Sequence, residues 1–236
     1  MKIALGAGHG INTSGKRCLK SLDPNETREW WLNDRICDYV QYYMKQEYEG
    51  YEILRLDDSD DGKTDVGLST RTAVANKWGA DIYISVHHNA GVNGGSGGGI
   101  MAFVHPNASA ESKAWRDELY AALIKRTGLK GNRSQPLATG NFQVLRESKM
   151  PAVLLELGFM DSKTDVPIIL SKSYAQECAR ASVDVIMKRG KLTKKKTTAD
   201  DVLYRVQVGA FAGKSNAEKL EAELEAKGFQ AYITTV

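Results

Sequence analysis

An α/β domain with a mostly parallel open sheet flanked by helices, followed by a small α+β C-terminal module, is the architecture the sequence predicts. Three observations carry the prediction. Short apolar runs alternate with amphipathic stretches of helical period, which implies strand–helix–strand crossovers. The run Asp81–Val86 is almost wholly apolar, as a central strand covered on both faces must be. After Arg189 the composition turns polar, basic and aperiodic through Gly190–Thr198, a linker that sets off a short remainder. The resulting division is 1–188, 189–201 and 202–236.

The elements follow in order. Lys2–Gly6 reads as a short buried strand ended by the glycine turn that holds His9. Asp23-Pro24-Asn25-Glu26 reads as a helix start, with Asp as N-cap, Pro at the first helical position and Glu reaching back in a capping box. The helix that follows presents Leu32, Ile36, Tyr39, Val40 and Tyr43 on one face, the spacing for packing on a sheet. Tyr51–Leu56 is the second strand, Asp57–Asp65 an acidic loop, and Leu68–Trp78 a helix. Asp81–Val86 is the third strand, Gly91–Gly99 a flexible glycine-rich loop, and Ile100–Val104 the fourth strand. Glu111–Thr127 is helical, Phe142–Leu145 and Ala152–Leu157 are two more strands, and Tyr174–Met187 closes the domain as a helix. Beyond the linker, Leu203–Val208 alternates as a strand, Ser215–Lys227 is an amphipathic helix, and Gln230–Thr234 is another strand.

Composition removes several classes of function. A net charge of +3, from 32 Lys+Arg against 29 Asp+Glu, is too balanced for a nucleic-acid binder. Gly94–Gly99 has neither a phosphate-loop Lys-Ser/Thr nor a dinucleotide fingerprint, so no nucleotide cofactor is expected. Cys18, Cys37 and Cys178 form no Cys-x-x-Cys pair, which argues against a disulfide framework and a structural zinc knuckle. No apolar run is long enough to span a bilayer, and Met1-Lys2 leads into only a short apolar run instead of a secretory signal.

What remains is a set of metal-type donors. Gly6–Gly10, Ser85–Ala90 and Pro151–Glu156 each sit where an apolar run stops, and in an open α/β sheet the carboxyl ends of strands converge on the ligand crevice. Zinc in hydrolases takes three ligands from His and carboxylates and leaves one position for water. His9 and His87 are the natural nitrogen donors. The third ligand is a carboxylate from the first long helix: Glu26 has a bland explanation as a capping residue and Glu29 has none, so Glu29 is favoured with Glu26 as rival. Glu156 ends the apolar run Val153–Leu155, where an unpaired carboxylate is costly; it is either a general base or the partner of Arg71 or Arg146. His88 and Asn89 are candidate substrate contacts, and His105 beside Pro106 is a loop residue.

The set Gly8-His9-Gly10, Glu29 with Asn33 and Ile36, Arg71 with Ala75-Asn76, Asp81 through Ala90, and Pro151 through Phe159 resembles the zinc-dependent N-acetylmuramoyl-L-alanine amidases of the Amidase_3 type. The resemblance covers about residues 1–188 in order. It implies a single-zinc fold that cleaves the amide between N-acetylmuramic acid and L-alanine in peptidoglycan. Carried over residue by residue, His9, Glu29 and His87 match the metal ligands, Glu156 matches the catalytic glutamate, and the spacing to Asn33 aligns Glu29 better than Glu26. Where the family often has an Asn after the Gly-Phe segment, this chain has Asp161-Ser162.

The tail Tyr204–Phe211, Asn216–Glu218 and Lys227–Tyr232 resembles one half of a SPOR-type peptidoglycan-binding domain, whose strand–helix–strand unit normally occurs twice. That implies a wall-binding role and a dimer through the half-module. A wall hydrolase joined to a wall-binding module, made in the cytoplasm without a signal peptide, resembles a bacteriophage endolysin released through a holin. A zinc peptidase of the stem peptide and a non-catalytic wall-binding protein are the competing expectations.

Overall fold

The computed structural model describes residues 1–195, 208–229 and 231–233. The chain divides into two compact units, Met1–Lys195 and Lys196–Val236. The first holds a six-stranded sheet in the order β3-β1-β4-β7-β5-β6, formed by β1 (Lys2–Ala7), β3 (Glu52–Arg55), β4 (Ile82–Asn89), β5 (Ile100–Val104), β6 (Leu137–Thr139) and β7 (Ala152–Phe159). Every neighbouring pair is parallel except β5 with β7. The sheet is therefore mostly parallel, as expected, with β5 and β6 at one edge running opposite to the other four strands.

Strand alternation builds the two faces. Ile3, Leu5 and Ala7, Ile82, Ile84 and Val86, and Val153, Leu155 and Leu157 all enter the larger core. It is completed by α1 (Glu29–Glu47), α3 (Ala110–Thr127) and α6 (Lys172–Gly190) through Leu32, Ile36, Val40, Leu119, Leu123 and Val183. Residues of opposite parity, Ala4, Tyr83, Ala152 and Leu154, face a smaller core closed by α2 (Leu68–Trp78) and α4 (Gln143–Arg146). Burial on both faces explains why β1, β4 and β7 read as continuous apolar runs. Ser109 and Ser171 cap α3 and α6 by accepting the N–H of Ser112 and Tyr174.

The chain leaves β1 to form β3 on one side and returns to form β4 on the other. The carboxyl ends of β1 and β4 thus flank the topological switch point, where open α/β sheets hold their ligands. The remaining elements are β2 (Tyr48–Glu49), α5 (Val166–Ile169), β8 (Thr193–Lys194) and α7 (Lys214–Ala226). No helix among the described residues is long and apolar enough to cross a membrane.

Four expectations are corrected. The first long helix begins at Glu29, with Arg28 as its N-cap and no side-chain cap, instead of at Asp23. Asp23 does accept backbone N–H groups, from Asn25 and Thr27, but it closes a turn, and Glu26 at φ 48° takes the chain out of helix. Phe142–Leu145 is not a strand: Gln143–Arg146 forms the short α4, and the strand of this region is β6. The Gly91–Gly99 loop is anchored, because Asp161 Oδ2 accepts N–H from Gly91, Val92 and Asn93 at 2.7–2.8 Å and Asp165 Oδ2 accepts from Gly99 at 2.7 Å. Thr193 and Lys194, placed in the linker by composition, pair antiparallel with Glu49 and Tyr48.

In the second unit α7 is a helix close to the Ser215–Lys227 expected, and Ala231–Ile233 has no regular structure. The expected strand Leu203–Val208 lies almost entirely outside the described residues, as do both ends of Gln230–Thr234.

Candidate metal centre

Local structure brings three sequence-distant groups to one point. His9 follows β1 in the left-handed region at φ 66°, a conformation that costs a non-glycine residue energy and is held from outside. Arg71, 2% exposed on α2, does the holding: it donates to Ala7 O at 2.6 Å, His9 O at 3.2 Å and Val66 O at 2.7 Å. It is therefore no partner of Glu156, and Arg146 is occupied at the surface with Asn141 and Glu147.

His87 sits near the end of β4 and packs over Gly8, where a Cβ would lie 2.0 Å from the imidazole. Glu29, 1% exposed, opens α1 with its side chain between the two histidines. His9 Nε2 stands 3.5 Å from Glu29 Oε2, and His87 Nδ1 3.2 Å from Glu29 Oε1. One donor atom from each residue lies within 4.8 Å of the other two, and among the described residues this is the one such cluster. Zinc bonds of about 2.0–2.2 Å place tetrahedral donors roughly 3.3–3.5 Å apart, so the set is close to the required spacing.

Neighbouring groups orient the set. Glu29 Oε1 also accepts the backbone N–H of His88 at 3.2 Å, while Asn33 donates to Gly8 O at 3.2 Å and pairs through Oδ1 with His88 Nδ1 at 2.7 Å. Because Asn33 Nδ2 is used on Gly8 O, Asn33 Oδ1 is the acceptor and His88 carries its proton on Nδ1. Burial holds His9 down at about 4, against the pull of Glu29, and His88 at about 3. Both are therefore neutral near pH 7, the form in which imidazole binds metals. For Glu29, burial pushes the carboxyl up, but the His87 hydrogen bond and the nearby His87, His9 and Lys16 charges prevail and bring it to about 2. Glu29 Oε2 accepts no hydrogen bond. An ionised, buried carboxylate with a free oxygen beside imidazole nitrogens is the chemistry of a divalent-cation site.

Glu156 is opposite His87 in the parallel register of β4 and β7, so the two side chains leave the same face of the sheet. Its Oε2 is shut off from solvent without a partner, and burial raises the carboxyl to about 7. Glu156, Lys16, His88 and Asn89 line one cavity of about 310 Å³ with Ser14 and Met160. Of the two candidate substrate contacts, His88 is 2% exposed and committed to Asn33, and Asn89 is half-buried at the wall. Glu26 is elsewhere: it pairs with Arg17 at 3.1 Å and lines a separate depression with Ile11 and Trp31. His105 accepts from Asn107 N–H in a loop. Sequence reasoning missed Lys16, which had no motif to mark it, and Asp161, whose position just after the strand was noted only as a departure.

The fold and this donor cluster at the sheet's carboxyl edge are those of a hydrolase. The chain belongs to the N-acetylmuramoyl-L-alanine amidase family, whose model matches residues 3–188, and is an enzyme of that class; the model for SPOR domains matches residues 192–236. It is 33% identical over 233 residues to the sporulation-specific N-acetylmuramoyl-L-alanine amidase of Bacillus subtilis, covering 99% of this chain and 84% of that protein. A probable cell wall amidase of Staphylococcus aureus is 31% identical over 185 residues, covering 77% of this chain and 56% of that one. Among solved structures, the catalytic domain of an N-acetylmuramoyl-L-alanine amidase from Bacillus (Paenibacillus) polymyxa superposes with a TM-score of 0.70 at 25% identity, covering 82% of this chain and all of the other. An amidase from Clostridium difficile gives 0.71 at 24%, covering 80% and 96%.

Proposed function

We propose that residues 1–188 cleave the amide between N-acetylmuramic acid and L-alanine in peptidoglycan, with one zinc ion held by His9, Glu29 and His87 and with Glu156 as general base. The observation that carries this reading is the meeting of the three donors within 4.8 Å, beside a buried, unpartnered carboxyl. When bound, zinc supplies Lewis-acid polarisation of the carbonyl and lowers the pKa of a water. The residues do the rest. Glu29 and the imidazoles of His9 and His87 place two nitrogens and one negative charge at the switch point. Glu156 takes the proton of the attacking water and returns it to the leaving amine, which a carboxyl poised near neutrality does well in both directions. Cavity walls from Asn89 and Met160 receive the peptide.

Chelation is expected to abolish release of L-alanine amines from purified walls, and added zinc to restore it. Hydrolysis that persists after complete metal removal rules the reading out, and new termini inside the stem peptide point to a peptidase instead.

The matching SPOR model supports assigning 202–236 to wall binding, with 189–201 as connector. Val208, Phe211 and Phe229 are 63%, 47% and 63% exposed, and α7 buries none of its residues, so a second copy of this chain is the proposed cover for these apolar groups. Sedimentation velocity is expected to show a dimer that Phe229→Ser and Phe211→Ser together dissociate; a monomer at all concentrations excludes it.

A further inference from the structure

We propose that Lys16 donates to the scissile carbonyl oxygen as negative charge builds on it, a role that rests on the amide hydrolysis proposed above. Lys16 Nζ stands 3.7 Å from Glu29 Oε2, and Lys16 lines the cavity that Glu156 also lines. Its backbone is fixed to the metal-site helix: Lys16 O accepts the N–H of Glu29, first residue of α1, at 3.0 Å, and Lys16 N–H donates to Thr13 O at 3.3 Å. The amine is thus delivered by a loop tied to the residue that carries the central carboxylate.

Charge supplies the second part of the argument. Among the described residues lining this cavity Lys16 is the one lysine or arginine. Its side chain is 42% exposed and long enough to turn. Lys16 Nζ and His9 Nε2 stand 3.7 and 3.5 Å from the same carboxylate oxygen, Glu29 Oε2. If Glu29 is a metal ligand, its negative charge is committed to the ion and the ammonium is left facing the cavity without an equivalent counter-charge. The anion that takes its place is the substrate oxygen. As the water oxygen bonds to the carbonyl carbon, the C=O pair moves onto that oxygen and the water proton passes to Glu156. When the C–N bond breaks, its pair goes to nitrogen, which takes the proton back from Glu156. A donor aimed at the oxygen strengthens only while that charge exists, so it acts on kcat. A lysine that merely held a carboxylate of the stem peptide would act on KM.

The test uses the full chain and a soluble muramyl-L-alanyl peptide, with zinc affinity read by competition against a chromogenic chelator. Lys16→Met is expected to lower kcat about 100-fold with KM unchanged, the loss typical of removing one such donor. Zinc affinity should be equal or tighter, because a cation competing for Glu29 has gone. Lys16→Arg should recover part of kcat. Unchanged kcat, a rise in KM alone, or weaker zinc binding overturns the role of Lys16. Cleavage by the unmodified protein, lost in Glu156→Gln, shows in the same assay that the underlying activity stands. An unmodified, zinc-loaded protein that leaves the amide intact overturns both.

Discussion

Glu156→Gln is expected to lose amide hydrolysis by about 1,000-fold while taking up zinc as well as the unmodified protein, because a positioned general base contributes roughly 10²–10⁴-fold and the amide cannot accept the proton. The substitution keeps the shape of the side chain, and Glu156 is not among the clustered donors, so the metal site should be untouched. A stability change of opposite sign accompanies the loss. Burial raises this carboxyl from 4.5 to about 7, so the folded protein holds the proton more tightly than the unfolded chain does. Stability from this group is therefore undiminished below about 4.5 and falls as pH rises through the window to about 7. The cost of the ionised form is on the order of 3 kcal/mol at 1.36 kcal/mol per unit. Metal-free Glu156→Gln should accordingly melt higher than the unmodified protein at pH 8, with the gap closing at pH 4. Equal hydrolysis rates for the two proteins would remove Glu156 from the reaction, and a melting gap independent of pH would contradict its buried state.

Gly8→Ala is expected to weaken zinc binding by 10–100-fold or more, the scale seen when a residue that orients a ligand is lost. The added Cβ would lie 2.0 Å from His87 Cε1 and 2.2 Å from Nδ1, far inside contact distance. The backbone cannot give way easily, since Gly8 N–H donates to Val86 O at 2.8 Å and Gly8 O accepts from Asn33 at 3.2 Å. His87 must therefore swing off Glu29. Circular dichroism should remain native while chelator competition shows the lost affinity; undiminished affinity would mean that His87 does not need this position to hold the ion.

The strands that make the site were readable because burial on two faces leaves an apolar run with clean ends: Lys2–Gly6, Asp81–Val86 and Ala152–Leu157 each lie within a few residues of β1, β4 and β7. His9, His87 and Glu156 stood out as polar residues at those ends. Phe142–Leu145 was misread because four residues cannot separate a period of two from one of 3.6. The reversal of β5 against β7 leaves no local mark, since a strand has the same composition in either direction. The start of α1 was misplaced because Asp23 and Pro24 suit a turn as well as a helix, and the choice falls to contacts of Arg28 and Glu29 with the Lys16–Arg17 segment. That same choice separates Glu29 from Glu26, which the sequence left as rivals.

From the chain alone came the kinds of group present and their arrival at strand ends, because backbone geometry alternates side chains over two or three residues. Distances and protonation came only with the tertiary structure. Glu29 and His87 are 58 positions apart and meet through the packing of α1 on the sheet. Whether a carboxyl sits at about 2 or about 7 depends on which elements exclude water from it and which charges they bring, and no stretch of sequence carries that sum.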